Sequence, residues 1–395
     1  MEEVMTTMVI IIGAGPSGLA TSACLKRHSI PHIILEKEDC SASLWRKNTY
    51  DRVKLHLAKE FCSLPFMPHP PSTPTFLSKN DFLHYIDDYI TWFDIRPRYC
   101  RLVESVAFDE VEKKWRIQTR NIQGESSKLQ EAYIAKYVVV ASGENSEGYV
   151  PKVEGLEGFT GEIVHSKNYK CGLKYKSKEV LVVGSGNSGM EIAYDLNDWG
   201  ARTSIIIRSP VHVLTKEHVH QGMSMLRYFP MQMVDSMMRF LANLAYGDLS
   251  KYGIHRPNKG PFYLKQLTGR SPVIDVGTIA KIKEGAIKVI PSEIKRIENK
   301  KVVFENNMEK EFDAIIFATG FRSAANNWLK DFKYVLNENG MPKNEFPRHW
   351  KGENGIYCAG LSRRGLFGVS MDAEAIADNI NHTLKMEARE TPNLI

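Results

Sequence analysis

The feature that most constrains this chain is a pair of glycine-rich turns with the same spacing. Residues 13–18 read Gly13-Ala14-Gly15-Pro16-Ser17-Gly18, residues 184–189 read Gly184-Ser185-Gly186-Asn187-Ser188-Gly189, and each follows a β-branched apolar run. In the G-x-G-x-x-G pattern the first glycine makes a tight turn, the second admits a pyrophosphate to the backbone, and the third lets a helix pack on a strand. The phosphates then face N–H groups at the positive end of that helix. Two such turns predict two dinucleotide sites in one chain.

The residues that follow the second strand of each unit carry opposite charges. Glu36 lies 23 residues after Gly13, where a carboxylate accepts hydrogen bonds from ribose hydroxyls. Arg208, followed by Ser209, lies 24 residues after Gly184. A guanidinium pairs with a 2′-phosphate, which a carboxylate would repel. The first site is therefore predicted to hold a dinucleotide without a 2′-phosphate and the second to prefer NADPH over NADH; the alternative for Arg208 is an ordinary surface cation.

Repeated strand–turn–helix–strand units indicate the fold class. The units at residues 9–35 and 180–207 predict an α/β protein with two Rossmann-type domains. Further short apolar runs predict buried strands at 137–141, 314–318 and 356–359.

The order of these elements predicts that one domain is inserted into the other. Residues 1–150 and 313–395 are expected to form the first dinucleotide domain, and residues 151–312 the second. A Met- and Leu-rich stretch with helical spacing, 223–245, lies in a helical cap region at about 211–275 of the second domain. The last amphipathic helix is expected to start near Asp372.

Composition excludes several classes of protein. The chain has 395 residues, of which 43% are hydrophobic and 25% charged, as in ordinary globular enzymes. It contains no apolar run near the ~18 residues of a membrane span and no basic start typical of a signal peptide, so a cytoplasmic enzyme is expected. No Lys/Arg block indicates nucleic-acid binding. The six cysteines form no C-x-x-C pair, which argues against a metal site and a disulfide redox centre.

Two dinucleotide sites indicate hydride transfer from a nicotinamide to a flavin, because the protein itself supplies little redox chemistry. With no cysteine pair to accept the electrons, molecular oxygen is the remaining common acceptor. The expected pair of cofactors is therefore a flavin dinucleotide and a nicotinamide dinucleotide.

A longer pattern between the turns resembles a known family. Residues 159–169 read F-x-G-x-x-x-H-x-x-x-Y, which resembles the signature of class B flavin-dependent monooxygenases. Residues 318–321 resemble the A-T-G-[FY] segment of the same enzymes, near the flavin, and residues 141–145 resemble the matching segment before the NADPH domain.

Other stretches are similar to the plant YUCCA enzymes within that family. They are residues 42–45, 50–62, 186–192 and 350–352. The resemblance implies an indole-3-pyruvate monooxygenase of auxin biosynthesis. Such an enzyme forms indole-3-acetate from indole-3-pyruvate and molecular oxygen by oxidative decarboxylation through a flavin C(4a)-peroxide.

The pattern and the resemblance together predict the binding residues. The candidates for FAD are Gly13, Ala14, Gly15, Pro16, Ser17, Gly18, Glu36, Trp45 and Gly320. The candidates for NADPH are Gly184, Ser185, Gly186, Asn187, Ser188, Gly189, Arg208 and Ser209.

No side chain is assigned a catalytic role with the same strength. His165 of the signature is either a catalytic acid or a structural residue, and the structural role is favoured. Many relatives carry an Asn near the stretch aligned with residues 56–59, but none lies there in this chain, so no catalytic residue is transferred. Arg52, Lys54 and Lys59 are alternatives for holding the substrate carboxylate or are surface charges.

Three other functions fit parts of the sequence. An amine- or sulfur-oxidising flavin monooxygenase shares both turns and the signature. A Baeyer–Villiger monooxygenase shares the turns, but its signature usually ends in Trp, whereas this one ends in Tyr169. A dinucleotide-binding redox sensor without activity is the non-enzymatic alternative, and phenylpyruvate is an alternative substrate within the main hypothesis.

Overall fold

A computed structural model describes residues 4–123 and 130–390 of the chain. Its strands are, in chain order, β1 Val4–Ile12, β2 His32–Leu35, β3 Arg101–Asp109, β4 Lys114–Asn121, β5 Gln130–Val140, β6 Glu147–Gly148, β7 Glu162–His165, β8 Glu179–Val183, β9 Arg202–Ile206, β10 Val213–Leu214, β11 Val273–Ile274, β12 Ile287–Ile290, β13 Ile294–Glu298, β14 Lys301–Phe304, β15 Glu309–Glu311, β16 Ala314–Phe317, β17 Phe321–Arg322 and β18 Ile356–Cys358. Its helices are α1 Pro16–Arg27, α2 Ser43–Lys47, α3 Lys79–Trp92, α4 Asn187–Asp198, α5 Lys216–Met225, α6 Met231–Tyr246, α7 Pro261–Thr268, α8 Thr278–Lys283, α9 Ala325–Trp328 and α10 Gly365–Glu390.

The chain forms two compact units, each with its own hydrophobic core. The first unit contains Met1–Lys47, Lys59–Glu147 and Phe321–Ile395, and the second contains Asn48–Ala58 and Gly148–Gly320. The second unit is thus inserted into the first, as predicted. The short segment Asn48–Ala58, which belongs to the second unit, was not predicted to leave the first domain.

The first unit is built on a sheet in the order β2-β1-β5-β4-β3, with β5 at its centre. β1 pairs in parallel with β2 and β5, β18 pairs in parallel with β5, and β4 and β3 continue the sheet in antiparallel pairing. The β-branched run at the end of β1, residues 9–12, is at most 5% exposed because both faces of the sheet are covered. This parallel order brings the first glycine turn to the carboxyl edge of the sheet, where α1 begins.

The second unit has a five-stranded parallel sheet in the order β12-β9-β8-β16-β7. A three-stranded antiparallel sheet of β13, β14 and β15 accompanies it. β16 was predicted as part of the returning first domain, but it lies between β8 and β7, so the unit ends at Gly320 and not at residue 312. The sequence of a short, wholly apolar strand does not indicate which sheet it joins. Its hydrogen-bonding partners in the fold determine the sheet.

The predicted cap region, 211–275, contains three helices. The stretch 223–245, which has helical spacing, takes in the end of α5 and nearly all of α6, and Pro230 precedes the first turn of α6. A proline inside a helix would remove a hydrogen bond and clash with the preceding turn. Val234, Met238 and Phe262 are buried in one cluster of this region, so its core is conventional helix packing.

The final helix, α10, starts earlier than predicted. It begins at Gly365 and not near Asp372, and it packs against α1 in the first unit. No helix within residues 4–123 and 130–390 is both long enough and apolar enough to cross a membrane.

Candidate cofactor sites

The first glycine turn leaves room for a ligand at one position only. Gly13 has φ +111°, and a Cβ there would lie 2.5 Å from the carbonyl oxygen of Ala141. A Cβ at Gly18 would overlap the carbonyl group of Gly13. At Gly15, by contrast, a Cβ would meet no heavy atom within 4 Å. The turn is therefore closed by protein at its first and third glycines and open at the second, as a pyrophosphate requires.

The second turn repeats this geometry almost atom for atom. Gly184 has φ +114°, and a Cβ there would lie 2.5 Å from the carbonyl oxygen of Ala318. Gly189 is closed by the carbonyl group of Gly184, and Gly186 is open. Because two unrelated stretches of sequence produce the same closed–open–closed pattern, both turns are shaped for the same kind of group.

Both helices that follow the turns present their N-termini to the open position. Gly15 and Gly186 are the extended N-cap residues of α1 and α4. Neither of these two first turns carries an acidic side chain. The first N–H groups of a helix lack intrahelical acceptors and carry partial positive charge, so these ends favour an anion. Pro16 opens α1, where the missing N–H costs no hydrogen bond.

The predicted side chains around the first turn occupy definite places. The N–H of Ala42, just before α2, donates to the carbonyl of Ala14 at 2.9 Å, which ties α2 to the turn. Trp45 of α2 packs its ring 4.8 Å from that of Phe82. Ser17, in the first turn of α1, is 8% exposed.

Glu36 is a buried carboxylate directly bonded to the first turn. It is 6% exposed, and it accepts hydrogen bonds from the N–H groups of Ala14 at 2.6 Å and Glu38 at 2.9 Å. Burial raises the pKa of Glu36, and the two backbone hydrogen bonds oppose that rise. Each carboxylate oxygen has a second lone pair, so the group retains acceptor capacity for ribose hydroxyls.

Arg208 is placed very differently. Its side chain is 59% exposed and forms an ion pair with Glu293 at 2.9 Å, and Glu293 is equally exposed. Exposed pairs of this kind contribute little to stability, so the guanidinium can exchange partners at low cost. Ser209 follows Arg208 in the loop after β9.

His165 has both ring nitrogens engaged within the second unit. Nδ1 accepts from the N–H of Lys167 at 3.1 Å, so the proton lies on Nε2, which donates to the carbonyl of Gly320 at 3.0 Å. Burial lowers the pKa of His165, and a Cβ at residue 148 would collide with the ring, where the chain has Gly148. A neutral imidazole with a hydrogen bond at each ring nitrogen suits the favoured structural role. Gly320, a candidate for FAD, is the last residue of the second unit and not part of the first.

Two of the three cations considered for the substrate carboxylate, Lys59 and Arg52, have protein partners. Lys59 donates to the carbonyls of Pro70, Pro71 and Thr73 at 2.6–2.9 Å, which uses its three donors. Arg52 lies 3.6 Å from Asp195 in an ion pair. Both groups are therefore engaged by the protein, which does not favour either as the partner of a substrate carboxylate.

Sequence reasoning missed a buried polar cluster on α4. Glu191 and Asp195 are 3% and 6% exposed, although charged residues are almost never fully buried unless paired. Their partners come from Asn48–Ala58 and from Tyr169, the last residue of the signature. The available signal was two carboxylates four residues apart on a helix that had to pack against a sheet.

Comparisons with known proteins agree with this geometry. A family model described as flavin-binding monooxygenase-like matches residues 6–364. The chain is 55% identical over 381 residues to the probable indole-3-pyruvate monooxygenase YUCCA10 of Arabidopsis thaliana, covering 96% of this chain and 98% of that protein. It is 44% identical over 386 residues to the probable indole-3-pyruvate monooxygenase YUCCA3 of the same plant, covering 96% and 88%.

A solved structure shares the fold over nearly the whole chain. The flavin-containing monooxygenase from Stenotrophomonas maltophilia superposes with a TM-score of 0.73 at 20% identity, covering 96% of this chain and 99% of that one. At this identity the likeness concerns the fold alone. It confirms the predicted fold class of two Rossmann-type domains.

Proposed function

This chain belongs to the flavin-binding monooxygenase-like family, and from that premise we propose that it converts indole-3-pyruvate into indole-3-acetate. The resemblance stated from the sequence is thereby confirmed, and the cofactors are FAD and NADPH. The observation that carries the substrate is the 55% identity, over 96% of the chain, with a relative named as a probable indole-3-pyruvate monooxygenase.

We assign FAD to the first turn. The open position at Gly15, the helix end at Pro16 and the buried acceptor Glu36 fit a pyrophosphate and a ribose without a 2′-phosphate. Trp45 stands on the short helix tied to the same turn, and Gly320 keeps its candidate role as a prediction.

NADPH is assigned to the second turn. Gly186 provides the open position, and Ser188 lies in the first turn of α4. Arg208 and Ser209 follow β9, where a Rossmann fold meets the 2′-substituent. An exposed guanidinium held by one exposed carboxylate can turn to a 2′-phosphate, for which it offers a bidentate pair.

The overall reaction consumes indole-3-pyruvate, NADPH, O₂ and a proton, and it yields indole-3-acetate, CO₂, NADP⁺ and water. One oxygen atom enters the new carboxylate, the other leaves as water, and NADPH supplies two electrons. FAD supplies the hydride acceptance and oxygen activation that side chains lack. The protein's own part is to bind both dinucleotides by their phosphates, orient them and exclude water. His165 holds its proton at Nε2 against the carbonyl of Gly320, which suits the structural role.

Anaerobic and aerobic halves of the reaction test this assignment separately. The purified yellow protein is mixed with NADPH without oxygen, then with oxygen in the presence or absence of indole-3-pyruvate. Flavin absorbance, NADPH consumption and indole-3-acetate are measured. We expect bleaching by NADPH and about one indole-3-acetate per NADPH consumed. Reoxidation that is indifferent to indole-3-pyruvate and yields no indole-3-acetate would reject the substrate while leaving the two-cofactor enzyme intact.

The rival activities are measured on the same preparation. Trimethylamine tests an amine-oxidising monooxygenase, cyclohexanone tests a Baeyer–Villiger enzyme, and phenylpyruvate tests the neighbouring 2-oxo acid. The expected order of kcat/KM places indole-3-pyruvate first. A yellow protein that binds NADPH without oxidising it would favour the redox sensor. The cytoplasmic location stays a prediction, tested by cell fractionation.

A further inference from the structure

A short segment of the chain leaves the first unit and packs in the second. Asn48–Ala58, called the strap below, belongs to the second unit, although Lys47 and Lys59 on either side of it in sequence belong to the first. Its backbone is fastened near the end of the signature. The N–H of Asp51 donates to the carbonyl of Lys170 at 3.0 Å, and Nζ of Lys170 donates to the carbonyl of Thr49 at 3.2 Å. The strap is therefore a docked element of the second unit.

The side chains of the strap dock on α4 through two buried carboxylates. Glu191 accepts a hydrogen bond from the hydroxyl of Tyr50 at 2.5 Å and pairs with Nε2 of His56. One helical turn later, Asp195 lies 3.6 Å from the guanidinium of Arg52. The Arg52 guanidinium also lies over the ring of Tyr194, 4.3 Å from its centroid. Three strap side chains thus hold the same helix.

Asp195 also binds the end of the signature. It accepts from the hydroxyl of Tyr169 at 2.5 Å and from the N–H of Gly172 at 2.8 Å. The rings of Tyr50 and Tyr169 meet edge to face with centroids 6.5 Å apart. The signature tyrosine and the strap are therefore neighbours on one helix.

Tyr50 reaches the glycine turn itself. Burial first, and then the charge of Glu191, raise the pKa of Tyr50 well above its usual range, while a hydrogen bond with the side chain of Ser188 opposes the rise. Ser188 is the second residue of α4, between the open Gly186 and the closed Gly189. Glu191, which accepts from Tyr50, follows Ser188 by three residues on the same face of α4, so the strap's anchor lies next to the turn assigned to the NADPH pyrophosphate.

Glu191 stabilises this arrangement because a buried carboxylate is costly without hydrogen-bond donors. A buried carboxylate that loses a partner keeps its desolvation cost. The free-energy cost of removing one partner is therefore far larger than the net contribution of the pair to stability. Tyr50 and His56 are the side chains that satisfy it from the strap. Undocking the strap would leave Glu191 buried with fewer partners, so the strap and the first two turns of α4 are expected to order together.

We propose that Glu191 and Tyr50 are positioning residues that couple docking of the strap to binding of NADPH at the second glycine turn. The proposal rests on the assignment of NADPH to that turn. Coupling of two equilibria is reciprocal. Bound NADP⁺ stabilises the docked strap, and the docked strap holds Ser188 and the start of α4 in the conformation that binds the pyrophosphate.

Hydrogen–deuterium exchange on the FAD-loaded protein tests the coupling directly. In the wild type, NADP⁺ is expected to slow exchange in peptides covering residues 48–58. Glu191→Gln keeps the side-chain volume but loses the charge, and it gives one of the two donors an amide nitrogen that cannot accept. We expect faster exchange in the strap and an NADP⁺ Kd raised about 10-fold by calorimetry, in the range measured for coupled sites.

Asp235→Asn is the matched control. Asp235 is another buried carboxylate of the second unit, 6% exposed, and it accepts from the N–H groups of Phe262 at 2.8 Å and Tyr263 at 3.1 Å at the start of α7. Its replacement should lower Tm yet leave strap exchange and the NADP⁺ Kd within twofold of the wild type. A merely structural Glu191 would behave in the same way.

Tyr50→Phe guards against a general loss of folding, because it removes one hydroxyl. It should raise the NADP⁺ Kd in the same direction as Glu191→Gln, and the double variant should add less than the sum of the two effects. The coupling is overturned if both variants loosen the strap but leave the NADP⁺ Kd within twofold, or if NADP⁺ leaves strap exchange unchanged. Failure of NADP⁺ to bind the wild type would overturn the coenzyme assignment and this proposal together. Failure to convert indole-3-pyruvate, with the coupling intact, would reject the substrate alone.

Discussion

The two glycine turns share a backbone and differ in what stands beside them. At the first turn, Glu36 is 6% exposed and bonded to the N–H of Ala14. At the second, Arg208 is 59% exposed and paired with the equally exposed Glu293. One polar group is built into the turn, and the other can exchange partners. These two arrangements suit the proposed assignment, with FAD retained at the first turn and NADPH arriving and leaving at the second.

The largest expected effect comes from filling the open position of each turn separately. Gly15→Ala should weaken FAD binding by at least about 100-fold, the equivalent of about 3 kcal/mol, because the methyl group takes the space of the pyrophosphate. Gly186→Ala should weaken NADPH binding to a similar extent and leave FAD in place. Flavin content and NADPH titration of each variant measure this.

No heavy atom lies within 4 Å of a Cβ at either position, so the Tm of the apoprotein should not fall. Gly158→Ala is the control, since its Cβ also meets nothing within 4 Å and it stands outside both turns. If Gly15→Ala lowered NADPH affinity and spared FAD, the two cofactors would have been assigned to the wrong turns.

Arg208→Ala should remove the preference for the phosphorylated coenzyme. We expect the ratio of NADPH to NADH affinity to fall by about 30-fold, because a charge-assisted bidentate pair is lost while the rest of the dinucleotide is bound as before. Arg296→Ala is the matched control: Arg296 is also a cation of the second unit paired with a glutamate, Glu298, at 2.7 Å. An unchanged ratio in Arg208→Ala would identify Arg208 as an ordinary surface cation.

Glu36→Gln should weaken FAD binding by about 10-fold, because a neutral amide is a poorer acceptor than a carboxylate for ribose hydroxyls. In the apoprotein, by contrast, the same substitution should be stabilising relative to the wild type as pH rises. Burial raises the folded-state pKa of Glu36 above its ordinary value of 4.5. The folded chain therefore holds this proton more tightly than the unfolded chain, and the contribution of Glu36 to stability is lost as pH rises through the folded-state pKa.

Denaturation of both apoproteins at a series of pH values checks the sign. The free energy of unfolding of the wild type should fall relative to that of Glu36→Gln as pH rises above 4.5. A constant difference across that range would contradict a folded-state pKa of Glu36 that is raised by burial. Glu38→Gln, which alters the neighbouring carboxylate but not the acceptor of the Ala14 N–H, is the control.

The smallest effect is expected at the partner of Arg208. Glu293→Gln should tighten NADPH binding by about 2- to 3-fold at low salt, because an exposed ion pair contributes less than ~1 kcal/mol and is screened by ions. NADH binding should not change, and the gain should disappear at high salt. Glu298→Gln, which breaks the Arg296 pair in the same unit, should leave NADPH binding as it is. A gain equal for both coenzymes would mean that Glu293 does not compete for Arg208.

Local pattern was sufficient for the parts of this protein that depend on neighbours in sequence. The two G-x-G-x-x-G turns, the helices that follow them and the strands before them lie where the sequence places them, because backbone space and apolar periodicity act over a few residues. The insertion of one domain into the other followed from the order of those units, and the signature and related stretches identified the family.

Only the tertiary structure decided which sheet takes β16, that Asn48–Ala58 belongs to the second unit, and that Glu191 and Asp195 anchor it. These outcomes depend on pairs of residues separated by more than a hundred positions, such as Tyr50 and Glu191. A strand that is apolar throughout is compatible with either sheet, and a carboxylate on a helix is compatible with solvent until a donor from elsewhere covers it. The partners, and not the residues themselves, carry that information.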